Sequence, residues 1–422
     1  MQEAFLQFLW RYQKLSSTQL KTASGEELTV LQPGVWNTGA GPDFLQAKIL
    51  LGDVQWSGHI EVHRKSSDWW HHKHHQDPNY DAVILHVVWE HDGLVFSPSG
   101  TPIPTLILAE FVARRWLDNY QTRFLHPSPW IPCAAHIKYF PAAHWTDWKE
   151  RLLIERLSQK TLWIKEQLQQ TNNDWEAVLF RLLARSFGLH TNGAAFVEVA
   201  ERIPVHLLRK LQNPPALEAL FLGSAGLLPS EDSDPYVWEL RGMFDYLQRK
   251  FRFQIESFPR FTFARLRPAN FPTVRWALLA ALYHRIPRPF RWLVEAQNLD
   301  ALKTLQSVQA SGYWDTHYTW GAAGKKQLKK ISPSFWELLV INCMIPLRFA
   351  YAQTQIGFDP EQHLEWFAQL KVEKNSVIQQ YRSLGVPAQS AGCSQALLQL
   401  YRQYCTPQKC LSCAVGFYLM HE

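Results

Sequence analysis

The sequence predicts two domains of different fold class. The first is an α/β or α+β domain with a mixed sheet flanked by helices, and the second is a large irregular all-α domain. Short apolar runs typical of strands alternate with helical segments over roughly the first 95 residues. From Trp145 onward, apolar residues recur at helical spacing. The 422 residues also exceed the roughly 250–300 that one hydrophobic core organises. We place the domains at 1–140 and 141–422.

The N-terminal domain is predicted to contain a first helix followed by several strands. Apolar residues at helical spacing predict that helix over residues 3–14. A Gly-rich stretch over residues 36–44 interrupts the strands, and Gly52-Asp53 fits a two-residue turn. The predicted strands are Leu28–Leu31, Leu45–Leu51, Val54–Trp56, His59–His63 and Val83–Trp89. Because the last of these is almost entirely apolar, we expect it to be buried on both faces.

Residues 96–145 are Pro-rich and irregular, with one short helix near residues 107–119, and we place the domain boundary around residues 130–145. The prolines that mark the boundary are Pro127, Pro129, Pro132 and Pro141. Asp174 is a candidate N-cap for a helix that ends at Phe187. Further helices are predicted near residues 191–201, 204–212, 215–221, 234–252, 273–284, 299–310, 334–350, 360–371, 373–384 and 393–405.

The composition indicates a globular chain with a mildly basic surface. The formal charge of +6 is compatible with nucleic acid as a partner but does not specify one. The 19 Trp residues fit core packing, and some of them could stack on bases. We expect a cytoplasmic protein with no membrane partner, because no membrane span or signal peptide is evident and six Cys do not form a secreted disulfide framework.

Three candidate metal ligands come from two predicted strands. In the strand His59–His63, side chains alternate between faces, so Glu61 and His63 point together and away from the apolar face. Asp43 lies just before the preceding strand, and a hairpin between the two strands can bring it beside Glu61. Carboxylates and imidazole are ligands for Mg²⁺, Mn²⁺ or Zn²⁺.

The arrangement Pro42-Asp43 followed by Glu61-Val62-His63, after a first helix, resembles the PD-(D/E)XK nuclease superfamily. The resemblance covers roughly residues 1–95 and implies a restriction-endonuclease-like fold that hydrolyses phosphodiesters of DNA or RNA with Mg²⁺ or Mn²⁺. It implies that Asp43 and Glu61 bind metal, with His63 as a ligand or general base. His63 occupies the position where that superfamily has Lys, and Lys65 could take the Lys role. Glu3 could match an additional acid on the first helix.

Two other interpretations of these residues stay open. Asp43 could be a turn residue that makes local backbone bonds, and Glu61 with His63 could form a solvated strand face. His63 in place of Lys also favours a second hypothesis, a catalytically inactive nucleic-acid-binding or scaffold protein with a degenerate nuclease fold.

A His-rich segment follows, with four His within residues 71–75. His72 and His74 share a side of the chain if the segment is extended, whereas His71 and His75 share a face if it is helical. We take His72 and His74 as candidate metal ligands, which gives a third hypothesis, a zinc-dependent hydrolase; an exposed polar loop is the alternative. His86 lies in an apolar strand and is interpreted as a buried histidine.

Three strings, GPDF, GHIEVHRKSSDW and HxHHxDPxYDxVILHVVW, resemble an uncharacterised bacterial domain-of-unknown-function family, number 2851. The resemblance is expected to extend over nearly the whole chain, including the Cys-rich end. It implies no established activity.

Four of the six cysteines fall near the C-terminus in the spacing C-x11-C-x4-C-x2-C. These cysteines are Cys393, Cys405, Cys410 and Cys413. Clustered thiols in a cytosolic chain suggest a Zn²⁺ site or an iron–sulfur cluster, and some superfamily nucleases carry such a four-Cys cluster. Buried thiols and redox chemistry are the alternatives, and Cys133 and Cys343 are interpreted as packing residues.

Overall fold

The computed structural model describes residues 2–422 except 18, 126, 127, 129, 212, 231–233, 322 and 358, and it omits the side chain of residue 362. The predicted boundary residues Pro127 and Pro129 therefore lie outside the described residues. The chain divides into two compact units. The first comprises Met1–Trp148, Gln380–Val386 and Leu400–Glu422; the second comprises Lys149–Gln379 and Pro387–Gln399.

The first unit is built on a mixed seven-stranded sheet. Its strands are β1 (Leu20–Lys21), β2 (Glu27–Gln32), β3 (Val35–Trp36), β4 (Phe44–Leu51), β5 (Val54–Lys65), β6 (Val83–Glu90) and β7 (Thr105–Ile107). The order is β1-β2-β4-β5-β6-β7, and β3 pairs with β4. Pairing is antiparallel from β1 to β5 and parallel from β5 to β7. An antiparallel bridge between Thr22 and Leu106 connects the two edges, so the sheet is nearly closed.

The two strands predicted over Val54–Trp56 and His59–His63 are in fact one continuous strand, β5. Gly58 does not interrupt it, because a glycine is needed there for the close approach of β6. A Cβ at Gly58 would lie 2.4 Å from both Ala82 O and Ile84 Cγ2.

The core of the first unit lies between the sheet and helix α1. Phe5 and Leu9 on this helix are fully buried in the same cluster as Ile60, Val62 and Leu85 of the central strands. Six of the eight residues of β6 are buried, which confirms the prediction that this strand is buried on both faces.

The helices are α1 (Glu3–Arg11), α2 (Asp68–His71), α3 (Arg114–Phe124), α4 (Ala142–Gln170), α5 (Trp175–Phe187), α6 (Leu189–Arg202), α7 (Val205–Lys210), α8 (Pro214–Ser224), α9 (Pro235–Phe251), α10 (Pro272–Arg285), α11 (Pro289–Glu295), α12 (Leu299–Leu302), α13 (Pro333–Leu339), α14 (Ile345–Ala352), α15 (Glu361–Gln369), α16 (Ser376–Ser383), α17 (Ala391–Leu400) and α18 (Ala414–His421). Asp174 caps α5 as predicted, since its carboxylate accepts from Glu176 N at 2.9 Å and Ala177 N at 3.2 Å.

Several predicted helices have different bounds in the structure, and three of them illustrate the causes. The helix expected near residues 107–119 is α3, which begins at Arg114 because Thr105–Ile107 pairs as a strand with β6. The first helix ends at Arg11 rather than at residue 14, and Gln13 has a left-handed φ of 47°. Residues 299–310 form only the short α12 and a 3₁₀ segment, Lys303–Ser307.

Within the described residues, one helical stretch, Pro333–Ala352, has the length and apolar composition of a membrane span. It comprises α13, a π-helical turn at Val340–Met344, and α14. Core helices share this length and composition, and 67% of the apolar stretch is buried within the protein.

Candidate metal centre

Asp43 and Glu61 are tied to each other through their backbones. Asp43 stands directly before β4 and Glu61 lies on the neighbouring β5. The Glu61 Oε2 atom accepts a hydrogen bond from Asp43 N at 3.0 Å. In return, Asp43 Oδ2 accepts from Val62 N at 3.1 Å, and Asp43 Oδ1 accepts from Gln7 Nε2 at 2.9 Å. Each carboxylate is therefore fixed in place by the other residue's strand segment.

A third imidazole joins two that lie beside the remaining oxygen of Glu61. Its Oε1 atom lies 3.5 Å from His63 Nε2 and 3.3 Å from His74 Nε2. His63 Nε2 is also 3.0 Å from His72 Nδ1. One nitrogen from each of the three histidines lies within 4.8 Å of the other two, a spacing that a single metal ion can bridge.

The His-rich segment is neither extended nor one helix. Helix α2 ends at His71, and Lys73 adopts a left-handed conformation with φ of 62° before a 3₁₀ turn at His74–Gln76. The left-handed conformation of Lys73 directs the side chains of His72 and His74 to the same site. The two candidate ligands therefore lie together in a conformation that is neither extended nor helical, the two conformations considered from the sequence. The side chain of His71 is instead 74% exposed.

His86 lies behind His63, away from the three-imidazole group. Its Nε2 atom is 2.8 Å from His63 Nδ1, so one proton is shared between these two nitrogens. His86 is fully buried and its Nδ1 has no hydrogen-bond partner in the described structure. This contact fixes the ring of His63 with its Nε2 toward Glu61.

Burial raises the pKa of Glu3, Asp43 and Glu61, and repulsion from neighbouring carboxylates adds to the rise at Glu3 and Asp43. Burial raises the pKa of Glu61 to about 8. Burial and the charge of Glu61 raise the pKa of Asp43 to about 7. Burial, with Asp43 and Glu61, raises the pKa of Glu3 to about 7; Glu3 Oε1 lies 3.9 Å from His63 Nε2. The site is thus short of positive charge when it holds only protein groups.

His63, His74 and His86 do not supply that charge, because their surroundings favour the neutral form. Burial, reinforced by the neighbouring imidazoles, lowers the pKa of His63 to about 2. Burial also lowers the pKa of His86 to about 3, and it lowers the pKa of His74. Neutral imidazoles are the form that binds metal, and a divalent cation would relieve the repulsion between the carboxylates.

The chain matches the model of one protein family, "Protein of unknown function (DUF2851)", over residues 3–376. The chain belongs to this family. No curated protein and no solved structure was found that matches it. The DUF2851 match contains all the carboxylates and histidines described above, but it ends before Cys393. The expected extension of the resemblance to the Cys-rich end lies beyond the matched residues and stays a prediction.

Lys65 takes a different direction from Glu61 and His63. Its ammonium lies 2.9 Å from Glu90 Oε1, on the parallel partner strand β6. Its backbone N–H donates to Asp68 Oδ2 at 2.9 Å. In the part of this DUF2851 chain that the structure describes, Lys65 makes no contact with Asp43 or Glu61.

Sequence reasoning missed Gln7 and Tyr80. Gln7 follows Glu3 by four residues on α1, a spacing that places both side chains on one helical face and could have revealed it. Tyr80 stacks on the ring of His74 at 3.9 Å between centroids and is buried. No local pattern marks Tyr80, since it reaches the site only through the turn before β6.

A cleft of about 810 Å³ in the first unit borders Gln7, the partner of Asp43. Its walls include two cationic side chains, Arg11 and Lys409. Its aromatic lining consists of Phe8, Tyr12, Trp36, Tyr120, Phe124, Trp130 and Tyr401. The Arg11 guanidinium lies 4.5 Å from the Trp36 ring centroid, which holds its charge at the cleft wall.

The four C-terminal cysteines are divided between the two compact units. Cys405, Cys410 and Cys413 belong to the first unit of this DUF2851 chain, whereas Cys393 belongs to the second. Cys393 Sγ accepts from Ser390 Oγ at 3.7 Å. Cys343 is fully buried within the π-helical turn before α14.

Proposed function

We propose that this protein is a phosphodiesterase of the nuclease class that depends on a divalent transition metal. The observation that carries the proposal is the three-imidazole group of His63, His72 and His74, with Glu61 Oε1 beside two of these rings and Asp43 bonded to Glu61. These imidazoles and carboxyl groups form a donor set in which burial disfavours the charged forms of His63 and His74. A metal ion would complete it.

The donor set fits a metal such as Zn²⁺ or Mn²⁺ better than Mg²⁺. Imidazole suits zinc and related metals, whereas Mg²⁺ prefers oxygen ligands and retains waters. His63, His72, His74 and Glu61 would hold the ion. When bound, it supplies positive charge that acidifies water and stabilises negative charge on a phosphate.

The other residues orient this set. Gln7 and the Val62 N–H hold both oxygens of Asp43, so its carboxylate keeps one orientation beside Glu61. His86 fixes the ring of His63, and Tyr80 packs on His74. Low exposure of Glu61 and His63, 5% and 1%, limits the access of bulk water to the donor atoms.

The adjacent cleft supports nucleic acid as the substrate class. Aromatic faces stack on bases without sequence preference, and cationic side chains attract phosphates. Arg11 and Lys409 place two positive charges at the wall of this cleft. The same wall includes Gln7, which donates a hydrogen bond to Asp43. A strand that stacked along the aromatic wall would present its backbone near the donor set.

Cleavage of single-stranded and duplex DNA and RNA should be measured with the full chain and added Zn²⁺, Mn²⁺ or Mg²⁺. Asp43→Asn and Glu61→Gln keep side-chain volume but remove charge, and we expect each to lower the rate at least 100-fold, in the range reported for groups that stabilise developing charge. His71→Gln is the matched control, since its exposed side chain lies outside the donor set. Equal cleavage by the wild type and both charge variants would refute the proposal.

A second candidate is nucleic-acid binding without cleavage, and the position of Lys65 favours it. Its ammonium pairs with Glu90, so no lysine reaches the carboxylates within the described residues. Calorimetric binding of metal and of a single-stranded oligonucleotide, with no product at any metal concentration, would favour this candidate. Turnover of another ester with zinc, but of no nucleic acid, would favour the zinc-dependent hydrolase.

A further inference from the structure

Four cysteines from two distant parts of the chain converge in the first unit. Cys133 follows the Pro-rich segment, whereas Cys405, Cys410 and Cys413 lie near the C-terminus. Cys133, Cys405 and Cys413 are 7%, 8% and 6% exposed, and Cys410 is half-buried. None of the six described cysteines forms a disulfide bond.

Electrostatic coupling indicates that the four thiols are neighbours. Burial raises the pKa of Cys133, and the charges of Cys405, Cys413 and Cys410 raise it further. Burial and the other two C-terminal thiols likewise raise the pKa of Cys405 to about 12, against the hydrogen bond from Tyr381. Four unscreened thiols so close together would repel one another if ionised without a cation.

Side-chain packing independently joins the two segments. The hydroxyl of Tyr381 lies 3.3 Å from Cys405 Sγ, and this tyrosine is fully buried. The ring of Trp130, three residues before Cys133, lies 4.7 Å from the Tyr381 ring and stacks on Tyr401 at 5.6 Å. The segment containing Cys133 is thereby packed against the turn that carries Cys405.

The backbone around the C-terminal cysteines is shaped to gather their sulfurs. Cys405 ends a π-helical turn, Tyr401–Cys405, and Gln408 then adopts a left-handed φ of 55°. Cys413 N donates to Cys410 O at 3.1 Å, which closes a tight turn between these two ligands. Gly416 is required beside this turn, because a Cβ there would meet the carbonyl oxygen of Cys410.

We propose that Cys133, Cys405, Cys410 and Cys413 form a four-thiolate site for a thiophilic metal centre, separate from the carboxylate–histidine site. Thiolates bind zinc and iron–sulfur clusters, and metal binding deprotonates thiols and releases their protons to solvent. The site joins a C-terminal segment to the segment after α3, so the metal would cross-link these two segments within the first unit. It requires Cys133 as its fourth ligand in place of Cys393.

The spacing of the sulfurs bears on which metal is held. Zinc bonds of about 2.3 Å keep thiolates roughly 4 Å apart. Among the described residues, only the three imidazoles place three ligand atoms within 4.8 Å of one another. No three of the four sulfurs meet this limit, so a single zinc ion would require them to move inward, and an iron–sulfur cluster, which is larger, would require less movement.

Metal content, acid-labile sulfide and visible absorption should be measured on the full chain purified without oxygen. Iron with matching sulfide identifies a cluster, and zinc that is retained in His72→Ala but lost in Cys133→Ser identifies a mononuclear thiolate site; either result supports the proposal. We expect one thiolate-bound centre per chain, lost in Cys133→Ser and retained in Cys393→Ser. The thiolate-bound centre should also persist in His72→Ala. Loss of metal from the carboxylate–histidine site in that variant would bear on the proposed function and not on the cysteine site.

Folding of the variants is checked by circular dichroism. If Cys133→Ser does not fold, Cys410→Ser, at the more exposed position, replaces it. X-ray absorption of the wild type and of Cys393→Ser measures sulfur coordination to the metal, and neither protein lacks a proposed ligand. Absence of thiolate-bound metal in the wild type would overturn the proposal. Equal metal retention in Cys133→Ser and Cys393→Ser, or loss in Cys393→Ser alone, would also overturn it.

Discussion

At the scale of single residues, Glu61 sets the pH response of the metal-free protein. Its pKa rises from 4.5 to about 8 on folding. The folded state then binds the proton more tightly, so this group's contribution to stability is present below pH 4.5 and is lost as pH rises toward 8. Between pH 7 and 8, His63 and His86 are neutral in the folded state and lose only a small remaining fraction of a proton in the unfolded state, so their opposing contribution is small. We expect the free energy of unfolding to fall by on the order of 1 kcal/mol over that interval.

Glu61→Gln should flatten this decrease, because the amide cannot ionise and no longer raises the pKa of Asp43. Urea denaturation at pH 7 and pH 8 with a chelator measures it. Glu90→Gln, at the exposed partner of Lys65, is the control and should keep the wild-type decrease. A decrease of the same size in Glu61→Gln would show that another group is responsible.

His86 is predicted to tune the metal site without touching the ion. The substitution His86→Phe keeps an aromatic ring in the buried position but removes the nitrogen that contacts His63. Loss of such an outer contact costs about 10–100-fold in metal affinity, and calorimetry with Zn²⁺ measures it. His91→Phe removes a different histidine contact, to Ser66 Oγ, and should leave affinity unchanged. Unchanged affinity in His86→Phe would contradict the positioning role.

How far the site could be predicted differs from residue to residue. Strand alternation and the β4–β5 hairpin were sufficient to bring Asp43, Glu61 and His63 together. The solvated-face interpretation is wrong, because β5 is covered at Glu61 and His63. The approach of His72 and His74 depends on a left-handed Lys73, and lysine carries no signal for that conformation.

At the scale of secondary-structure elements, the spacing between β5 and β6 is set by Gly58. Gly58→Ala would place a Cβ 2.4 Å from atoms of Ala82 and Ile84. Because β5 carries His63 and β6 carries His86, we expect a loss of about 1–3 kcal/mol of stability, typical of overpacking, together with weaker metal binding. Thermal unfolding and Zn²⁺ titration measure the two effects. Gly93→Ala, where no atom lies within 4 Å, is the control, and equal behaviour of both variants would contradict the argument.

Elements with strong local signals were predicted well, and those fixed by distant contacts were not. The capped helix α5 and the apolar strand β6 follow from their own residues. The joining of two predicted segments into β5, and the start of α3 after a short strand, depend on pairing with β6. A glycine within a strand signals a break in the sequence, whereas here it permits close packing between strands.

At the scale of the whole molecule, the proposed four-thiolate site is the feature least accessible from the sequence. The pattern near the C-terminus identified three of its ligands and paired them with Cys393, the nearest thiol along the chain. Cys133 has no local motif, and only the tertiary packing of Trp130 and Tyr381 brings it to the other three. Spacing along the chain cannot identify a ligand that tertiary structure supplies.

Because the chain has two compact units, metal at the carboxylate–histidine site should stabilise the first unit, which contains the ligands. Metal at 100 times its dissociation constant adds about 2.7 kcal/mol to whichever folded region holds the ligands. Because a chain of two units need not unfold in one step, the added stability should be measured separately in each unit. Hydrogen exchange should slow at the amides of β5 and β6 on adding Zn²⁺, while α10, in the second unit, should be unaffected. His74→Ala should remove the effect on β5 and β6. Equal protection of both units, or protection that survives in His74→Ala, would place the metal elsewhere.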